Sequence, residues 1–309
     1  MNSGKIALLS SHFSGAIKLS YLLNNGIKID SIITVSAKQA NDHDVSGYYD
    51  FHQLAEENGL DLYEVNRFDL KSPEDVQFFQ DKGYDILLVS GWQRLVPDNI
   101  LSTLAIGAVA EHGSAEYLPR GRGRSPINWS IIQNRKRFVL HIFFADAGAD
   151  SGKIIDKEVI QINDNDDIYS VYSKISLSSG KLFKKNIPNL LNGTWTPLKE
   201  ALIEPTYFPK RTEKDDLICW DQSTLDIYNK VRASTKPYPG AKSRINGGEN
   251  ITIWKAQPYD FHMDDFSNDF GEILEIFPDS SFVVKTGDGN LLIREYECYG
   301  TINRGDILQ

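Results

Sequence analysis

The amino-acid sequence predicts an α/β domain with a wound parallel sheet, followed by a small β-barrel domain. In the first half, short apolar runs alternate with helical patterns, which is typical of strands joined by covering helices. In the last third, short strands with alternating polarity are separated by turn residues, which indicates a barrel. The chain has 309 residues, enough for two units of about 150 each.

The first half supplies the elements of the wound sheet. Buried strands are predicted at Ile6 to Leu9, Ile29 to Val35 and Ile86 to Val89, and helices at Gly15 to Asn25 and Asp50 to Gly59. Ligands of such sheets bind at the carboxyl ends of the strands. Three segments fall there, namely Ser10 to Gly15, Gly91 to Arg94 and the residues around His112.

Turn residues cluster at 192–197 and 204–209, which predicts a linker between a domain at 1–200 and another at 206–309. Asp221 to Thr224 offer N-cap candidates for a helix that runs to Arg232. The barrel strands are then predicted at Ile251 to Trp254, Gly271 to Ile276, Phe282 to Lys285 and Leu291 to Tyr296.

Composition narrows the class of protein. The net charge of -9 and a pI near 5.2 disfavour a sequence-independent nucleic-acid surface. The two cysteines, Cys219 and Cys298, cannot build a disulfide framework and have no zinc-binding spacing. No apolar run is long enough for a signal peptide or a membrane span, so we expect a cytoplasmic protein without a membrane partner.

The strongest motif is the segment Gly107 to Ser114, which contains His112, with the arginine-rich loop Leu118 to Pro126 after it. It resembles the active-site strand and loop of the folate-dependent formyltransferases, which read Asn-x-His-x-Ser and are followed by an Asp-x-Gly turn. His112, Ser114 and the Asp150-Ser151-Gly152 turn match this pattern. Ala110 takes the place of the asparagine.

The second half is similar to the C-terminal domain of methionyl-tRNA formyltransferases. The similar segments are Tyr207 to Arg211, Cys219 to Asp221 and Val231 to Ala241. The Pro-Tyr-Pro-Gly string within the last of them favours a scaffolding turn over a substrate contact. The resemblance therefore spans nearly the whole chain and implies a Rossmann-like formyltransferase fold with an OB-like C-terminal barrel.

The resemblance implies that 10-formyltetrahydrofolate is the formyl donor and that His112 and Asp150 are catalytic. Formyl transfer to an amine passes through a tetrahedral intermediate, so the site must stabilise an oxyanion and move a proton. An imidazole can do the first when protonated and the second when neutral. The aspartate of the family tunes that imidazole.

Other site residues are also implied by the resemblance. Arg94, Leu95 and Val96 follow a buried strand and match the segment that pairs with the pterin ring, and Asp146 lies on the second pterin-facing loop. Trp92 belongs to the same segment and could equally be a half-buried packing aromatic. Candidates for substrate binding are Ser11, Phe13, Ser114 and Arg122. No metal is predicted, because the cluster Asn41 to Asp44 has no second group of ligands.

Three explanations remain open for how the site works with Ala110 in place of the asparagine. Loss of one oxyanion donor typically costs on the order of 100- to 1000-fold in rate. Asn128 or Ser114 could replace the amide, the enzyme could transfer a different acyl group or work slowly, or binding could persist without catalysis. The loop from His112 to Pro119 also looks two residues longer than the usual His-Pro-Ser-Leu-Leu-Pro pattern, which indicates local rebuilding.

The acceptor is predicted to be a primary amine, of a nucleotide-linked sugar in preference to tRNA. Residues 205–309 contain 12 Lys and Arg against 17 Asp and Glu, and the resulting charge of 12 − 17 = -5 disfavours tRNA. The alternatives are a methionyl-tRNA formyltransferase, another N-acyltransferase, a hydrolase of formyl-folate and a binding module without turnover. A homodimer is compatible with the sequence.

Overall fold

The computed structural model describes residues 4–146, 148, 150–199, 201–260 and 269–309. Contacts divide the chain into two units. The first comprises 1–123, 137–161 and 172–208, and the second comprises 124–136, 162–171 and 209–309. The division into 1–200 and 206–309 stays a prediction, and the contacts assign two further short segments to the second unit.

The first unit is built on a seven-stranded sheet in the order β3-β2-β1-β4-β5-β7-β8. The strands up to β9 are β1 (Ile6–Leu9), β2 (Ser31–Thr34), β3 (Asp61–Glu64), β4 (Ile86–Val89), β5 (Gly107–Ser114), β6 (Arg122–Gly123), β7 (Arg137–Phe144), β8 (Ile154–Gln161) and β9 (Tyr207–Phe208). The five strands from β3 to β5 are parallel, which confirms the predicted wound sheet. β7 and β8 extend it in antiparallel fashion, so the sheet is mixed.

Helices connect the strands and carry recognisable caps. They are α1 (Phe13–Asn24), α2 (Ala37–Asp42), α3 (His52–Asn58), α4 (Pro73–Lys82), α5 (Asp98–Leu101), α6 (Pro126–Ile132), α7 (Ile168–Leu191) and α8 (Thr224–Ser234). The Ser72 side chain accepts from Asp75 N at the start of α4, and Pro73 takes the first helical position. In the part of the chain that is described, no helix is long and apolar enough to cross a membrane.

The second unit contains a five-stranded antiparallel sheet in the order β10-β11-β14-β13-β12. Its strands are β10 (Ala241–Ile245), β11 (Glu249–Asp260), β12 (Ile273–Ile276), β13 (Phe282–Lys285) and β14 (Asn290–Cys298). The last residues close the sheet, because Leu308 N donates to Gly271 O beside β12 and Gln309 N donates to Arg244 O in β10, both at 2.8 Å. The predicted small β-barrel is therefore confirmed.

Arg232, in the Val231 to Ala241 segment, connects two parts of the second unit. Its buried guanidinium donates to the carbonyl oxygens of Asn163 and Asp166 at 3.2 and 2.5 Å. These bonds hold the turn before α7 against α8. The contacts agree with the scaffolding interpretation of this segment.

Candidate active site

The strand β5 places the motif residues on two faces of the sheet. Side chains alternate along a strand, so Ala110, His112 and Ser114 share one face and Glu111 points to the other. In the antiparallel pairing with β7, Ala110 lies opposite Phe143 and His112 opposite His141. Residues directly opposite each other share a face.

His112 is in contact with Asp150 and with the arginine-rich loop. Its Nδ1 lies 3.3 Å from Asp150 Oδ2, and its Nε2 lies 2.8 Å from the carbonyl oxygen of Gly121. The side chains are 9% and 21% exposed for His112 and Asp150, so the pair is largely shielded from water. The structure brings together the two residues that the motif predicts to be catalytic.

The loop that supplies the Gly121 carbonyl depends on two glycines with positive φ. A Cβ on Gly121 (φ 75°) would lie 1.9 Å from Ser114 Oγ, and one on Gly123 (φ 100°) would lie 2.4 Å from the carbonyl oxygen of Phe208. Both positions therefore require glycine. β6 pairs with β9 at this point, and Gly121 N donates to Thr206 Oγ1 at 2.9 Å. These contacts fix the loop against His112.

The partners of His112 indicate which form of the ring they stabilise. A carboxylate and a backbone carbonyl can only accept hydrogen bonds, whereas a neutral imidazole has a single N–H to donate. The doubly protonated imidazolium can donate to both Asp150 and Gly121. Nε2 forms the hydrogen bond with the Gly121 carbonyl, and Asp150 is placed to act as the counter-ion of a charged ring.

Ala110 lies in apolar surroundings two residues before His112. Its methyl group packs against the buried side chains of Leu118, Phe143 and Ile154, which form a small hydrophobic cluster. These neighbours come from the loop after β5, from β7 and from β8. The methyl group of Ala110 therefore lies against apolar side chains of three different segments.

Both proposed replacements for the missing amide already form hydrogen bonds with neighbouring backbone groups. Ser114 is 1% exposed, and its hydroxyl donates to Glu116 O at 3.2 Å and accepts from Glu116 N at 3.1 Å. Asn128 is fully buried in the second unit, where its amide donates to Ala233 O at 2.8 Å. Each side chain is already used in local structure.

Family models match both halves of the chain. The model described as formyl transferase matches residues 5–187, and the one described as formyl transferase, C-terminal domain matches residues 210–301. The first covers more than half of the 309 residues. The chain belongs to the formyl transferase family.

Individual relatives of this formyl transferase span several kinds of protein. It is 27% identical to a methionyl-tRNA formyltransferase of Ruminiclostridium cellulolyticum over 295 residues, which is 95% of this chain and 91% of that one. HypX from Aquifex aeolicus, solved with tetrahydrofolic acid, superposes with a TM-score of 0.70 at 18% identity and covers 97% of this chain. This chain spans only 45% of HypX.

A sugar-modifying enzyme has a similar structure over its whole length. The N-formyltransferase from Helicobacter canadensis, solved with folinic acid and dTDP-3-aminofucose, has a TM-score of 0.60 at 19% identity. The match covers 95% of this chain and 99% of that one. Identities this low establish the fold and leave the acceptor open.

The residues expected near the folate lie on two loops of this formyl transferase. Arg94 and Leu95 are exposed and Val96 is buried, in the segment after β4. The Arg94 guanidinium lies 4.6 Å from the centre of the Phe68 ring, which packs edge-on against Trp92. Asp146 is exposed after β7 and accepts from Gly148 N and Ser151 Oγ at 3.0 and 2.7 Å.

The residues expected to bind substrate have different surroundings. Ser11 is buried at the end of β1 and donates to Gly91 O at 3.2 Å. Phe13 begins α1, and its ring packs beside Tyr172 with ring centres 5.5 Å apart. Arg122 lies in β6, where its backbone N donates to Thr206 O at 2.9 Å. Ser114 is buried against Gly121. Their roles in binding stay predictions.

The sequence interpretation missed a buried ion pair behind the motif strand. Lys18 of α1, 1% exposed, donates to Glu111 Oε1 and, at 2.8 Å, to Ser90 Oγ. Ser179 of α7 donates to the other Glu111 oxygen. A lysine on the apolar face of α1, with a glutamate in a buried strand, was the signal that could have revealed this network.

Two buried histidines were also missed. His141 is 1% exposed, and burial, followed by the neighbouring charges of His112 and Lys157, lowers its pKa to about 4. His12 is the N-cap of α1, and burial together with Lys18 lowers its pKa to about 3. Both rings are therefore neutral near pH 7. His12 follows the predicted strand Ile6 to Leu9, and His141 lies in the apolar run of β7, for which no strand was predicted.

Proposed function

We propose that the protein transfers a formyl group from 10-formyltetrahydrofolate to the primary amine of a nucleotide-linked amino sugar. The observation that carries this proposal is the position of His112, in contact with both Asp150 and the Gly121 carbonyl, within a formyl transferase domain. The geometry supports an acid and charge-stabilising role for the ring.

His112 and Asp150 divide the chemistry between them. As the amine adds to the formyl carbon, negative charge develops on the formyl oxygen. A protonated ring stabilises this charge when its Nε2–H exchanges the Gly121 carbonyl for the formyl oxygen, while Nδ1 stays beside Asp150. When the C–N bond to the donor breaks, the ring gives that proton to the departing nitrogen of the folate and then takes one from the newly attached amine, so the ring ends in its starting form. Because Ala110 has no side-chain donor, His112 provides more of the stabilisation of the oxyanion.

The loops at the carboxyl ends of the strands fit a bound folate. 10-formyltetrahydrofolate supplies the formyl group, and Arg94, Leu95, Val96 and Asp146 would hold its pterin ring. The Trp92 indole N–H is buried and has no acceptor among the described residues, so an acceptor on a bound ligand could satisfy it. Leu95, three residues after Trp92, is 57% exposed and offers apolar surface for the pterin ring.

The charge of the C-terminal third and one relative favour a nucleotide-linked sugar as the acceptor. Residues 205–309 carry a charge of 12 − 17 = -5, which opposes binding of a polyanion such as tRNA. The Helicobacter canadensis relative was solved with dTDP-3-aminofucose. Methionyl-tRNA formyltransferase is the second candidate, favoured by the 27% identity over 95% of the chain.

The test is a formyl-transfer assay with 10-formyltetrahydrofolate and two acceptor classes, dTDP-linked amino sugars and methionyl-tRNA. Wild-type protein is compared with His112→Ala and with His43→Ala, a histidine exposed on the surface. We expect a formylated sugar from wild type and His43→Ala, and none from His112→Ala.

Each other outcome supports a different conclusion. Formylated methionyl-tRNA would assign the second candidate function. Formate release without an amine would indicate hydrolysis. Stabilisation by the folate without any product would favour a binding module, as Ala110 allows. Product formed by His112→Ala at the wild-type rate would contradict the role of His112.

A further inference from the structure

A row of three basic side chains crosses the antiparallel edge of the first unit. His112 of β5 pairs with His141 of β7, and His141 pairs with Lys157 of β8. All three therefore point to the same face of the sheet. Neighbouring strands lie about 4.8 Å apart, so the row extends about 10 Å from His112 to Lys157.

Tyr117 covers the outer part of this row. Its ring lies edge-on to His141, with ring centres 6.1 Å apart. Lys157 Nζ is 4.4 Å and the Arg137 guanidinium carbon 5.5 Å from the centre of the same ring. Tyr117 belongs to the loop between His112 and Pro119, and it is 38% exposed. Its ring thus contacts both cations at the surface.

The two cations have no counter-ion among the residues that the structure describes. Neither the Lys157 ammonium nor the Arg137 guanidinium forms an ion pair with any described carboxylate, and the guanidinium donates only to Ala115 O, at 3.3 Å. The nearby Glu116 lies 3.8 Å from Arg120. In a chain with a net charge of -9, two cations on one ring, with no described carboxylate as partner, are an unusual concentration of positive charge.

We propose that Lys157, Arg137 and Tyr117 form the binding site for the diphosphate of the acceptor nucleotide sugar. Ammonium and guanidinium groups recognise phosphate oxygens, and guanidinium does so with two parallel hydrogen bonds. Two strand spacings separate Lys157 from His112, so a diphosphate at Lys157 would lie about 10 Å from an amine held at His112. This inference rests on the proposed function and identifies how the acceptor is recognised.

The site can be tested by direct binding, without catalysis. Calorimetric titration of the full chain with dTDP measures the dissociation constant, and thymidine, which has no phosphate, is the matched ligand control. We expect Lys157→Ala and Arg137→Ala each to weaken dTDP binding by about tenfold or more. Tyr117→Ala should also weaken it because the cations lose their support, whereas Tyr117→Phe should bind like wild type.

The control variant is Lys181→Ala, which removes the same charge elsewhere. Lys181 is exposed on α7, and α7 contacts Glu111 on the opposite face of the sheet. Lys181→Ala should bind dTDP like wild type. Equal binding by Lys157→Ala, Arg137→Ala and wild type overturns the proposal, as does equal weakening by Lys181→Ala or an absence of dTDP binding to wild type.

The failure of the site and that of the proposed function remain distinguishable. If dTDP binds through Lys157 and Arg137 but no formyl group is transferred, the diphosphate site stands and the proposed function fails. If formyl transfer to another amine depends on His112 and dTDP does not bind, the reaction stands and the diphosphate site is wrong.

Discussion

His112 lies directly opposite His141 where β5 pairs with β7, so two imidazoles share one face of the sheet. Only His112 has a carboxylate beside it, at 3.3 Å. Burial, helped by His112 itself, lowers the pKa of His141 to about 4. The two rings therefore have different environments, because His141 is buried and neutral near pH 7 whereas His112 lies beside the carboxylate of Asp150.

The depressed pKa of His141 predicts a loss of stability in mild acid. Its pKa falls from 6.5 in the unfolded chain to about 4 in the folded one, so the unfolded state binds the proton first. The stabilisation is fully present above pH 6.5 and is lost as the pH falls towards 4, by up to roughly 3 kcal/mol. Denaturant titrations of wild type and His141→Gln over this range measure it.

His141→Gln should show a weaker pH dependence than wild type, whatever its absolute stability. His12, with a pKa near 3, contributes the same trend in both proteins. His52→Gln is the control, because His52 is exposed and Asp50 raises its pKa. That variant should keep the wild-type decline in acid. Parallel curves for wild type and His141→Gln would show that His141 does not titrate in this way.

Asp150→Asn should slow formyl transfer while leaving the fold intact. Asp150 has a φ of 54°, a conformation that asparagine adopts more readily than most residues, so the backbone need not change. The variant removes the counter-ion of His112. We expect the rate to fall on the order of 100-fold or more, and the free energy of unfolding to change by less than about 1 kcal/mol.

Asp150→Gly separates the charge from the backbone conformation. Glycine also accepts a positive φ, so a similar loss of rate in both variants would assign the effect to the carboxylate. Transfer by Asp150→Asn at the wild-type rate would mean that the ion pair with His112 has no part in the reaction.

Much of the fold and the catalytic pair could be predicted from local sequence patterns. The apolar runs predicted β1, β2 and β4, and the resemblance of the residues around His112 and Asp150 to the formyltransferase motif implied their contact. The Gly121 carbonyl could not be predicted, because it is positioned by pairing between β6 and β9, which are 85 residues apart at Gly121 and Thr206. Tertiary contacts of this kind leave no periodic signal.

The same limit applies to the neighbours of Ala110 and His112. Phe143 and His141 lie beside them only because β7 returns antiparallel in one particular register. A shift of one residue would turn both side chains to the other face. The sequence shows a histidine in an apolar strand, but not which strand it faces.

Glu111→Gln should strongly destabilise the first unit. It removes the counter-ion of Lys18, which is 1% exposed and would keep an unpaired charge in the interior. Breaking one side of a buried pair typically costs about 3–5 kcal/mol. The double variant Lys18→Met with Glu111→Gln should recover much of this loss. Denaturant titrations of the two single variants and the double variant measure the coupling.

An exposed pair provides the comparison. Lys38 and Asp42 of α2 are 83% and 47% exposed, and a pair of this kind contributes at most about 0.5 kcal/mol. Lys38→Met should therefore leave stability nearly unchanged. If Glu111→Gln were equally mild, the Lys18 ammonium would have to find other partners or lose its proton in the folded protein.

Ala110→Asn tests whether the missing amide alone limits the reaction. If it did, asparagine would raise the transfer rate by about 100-fold, because one oxyanion donor contributes that much. The surroundings of Ala110 favour another result. An amide placed among Leu118, Phe143 and Ile154 would lose hydrogen bonds to water and cost about 1–3 kcal/mol of stability. We expect a less stable protein that transfers formyl groups no faster.

Ala110→Val distinguishes crowding from polarity at this position. Valine adds bulk to the cluster without a polar group, so its stability should fall less than that of Ala110→Asn if desolvation of the amide is the main cost. Rates for both variants should stay at or below the wild-type value. If asparagine accelerates transfer and valine does not, the side chains around Leu118 must move enough to accept the amide. The strand would then retain the geometry for an oxyanion donor beside His112.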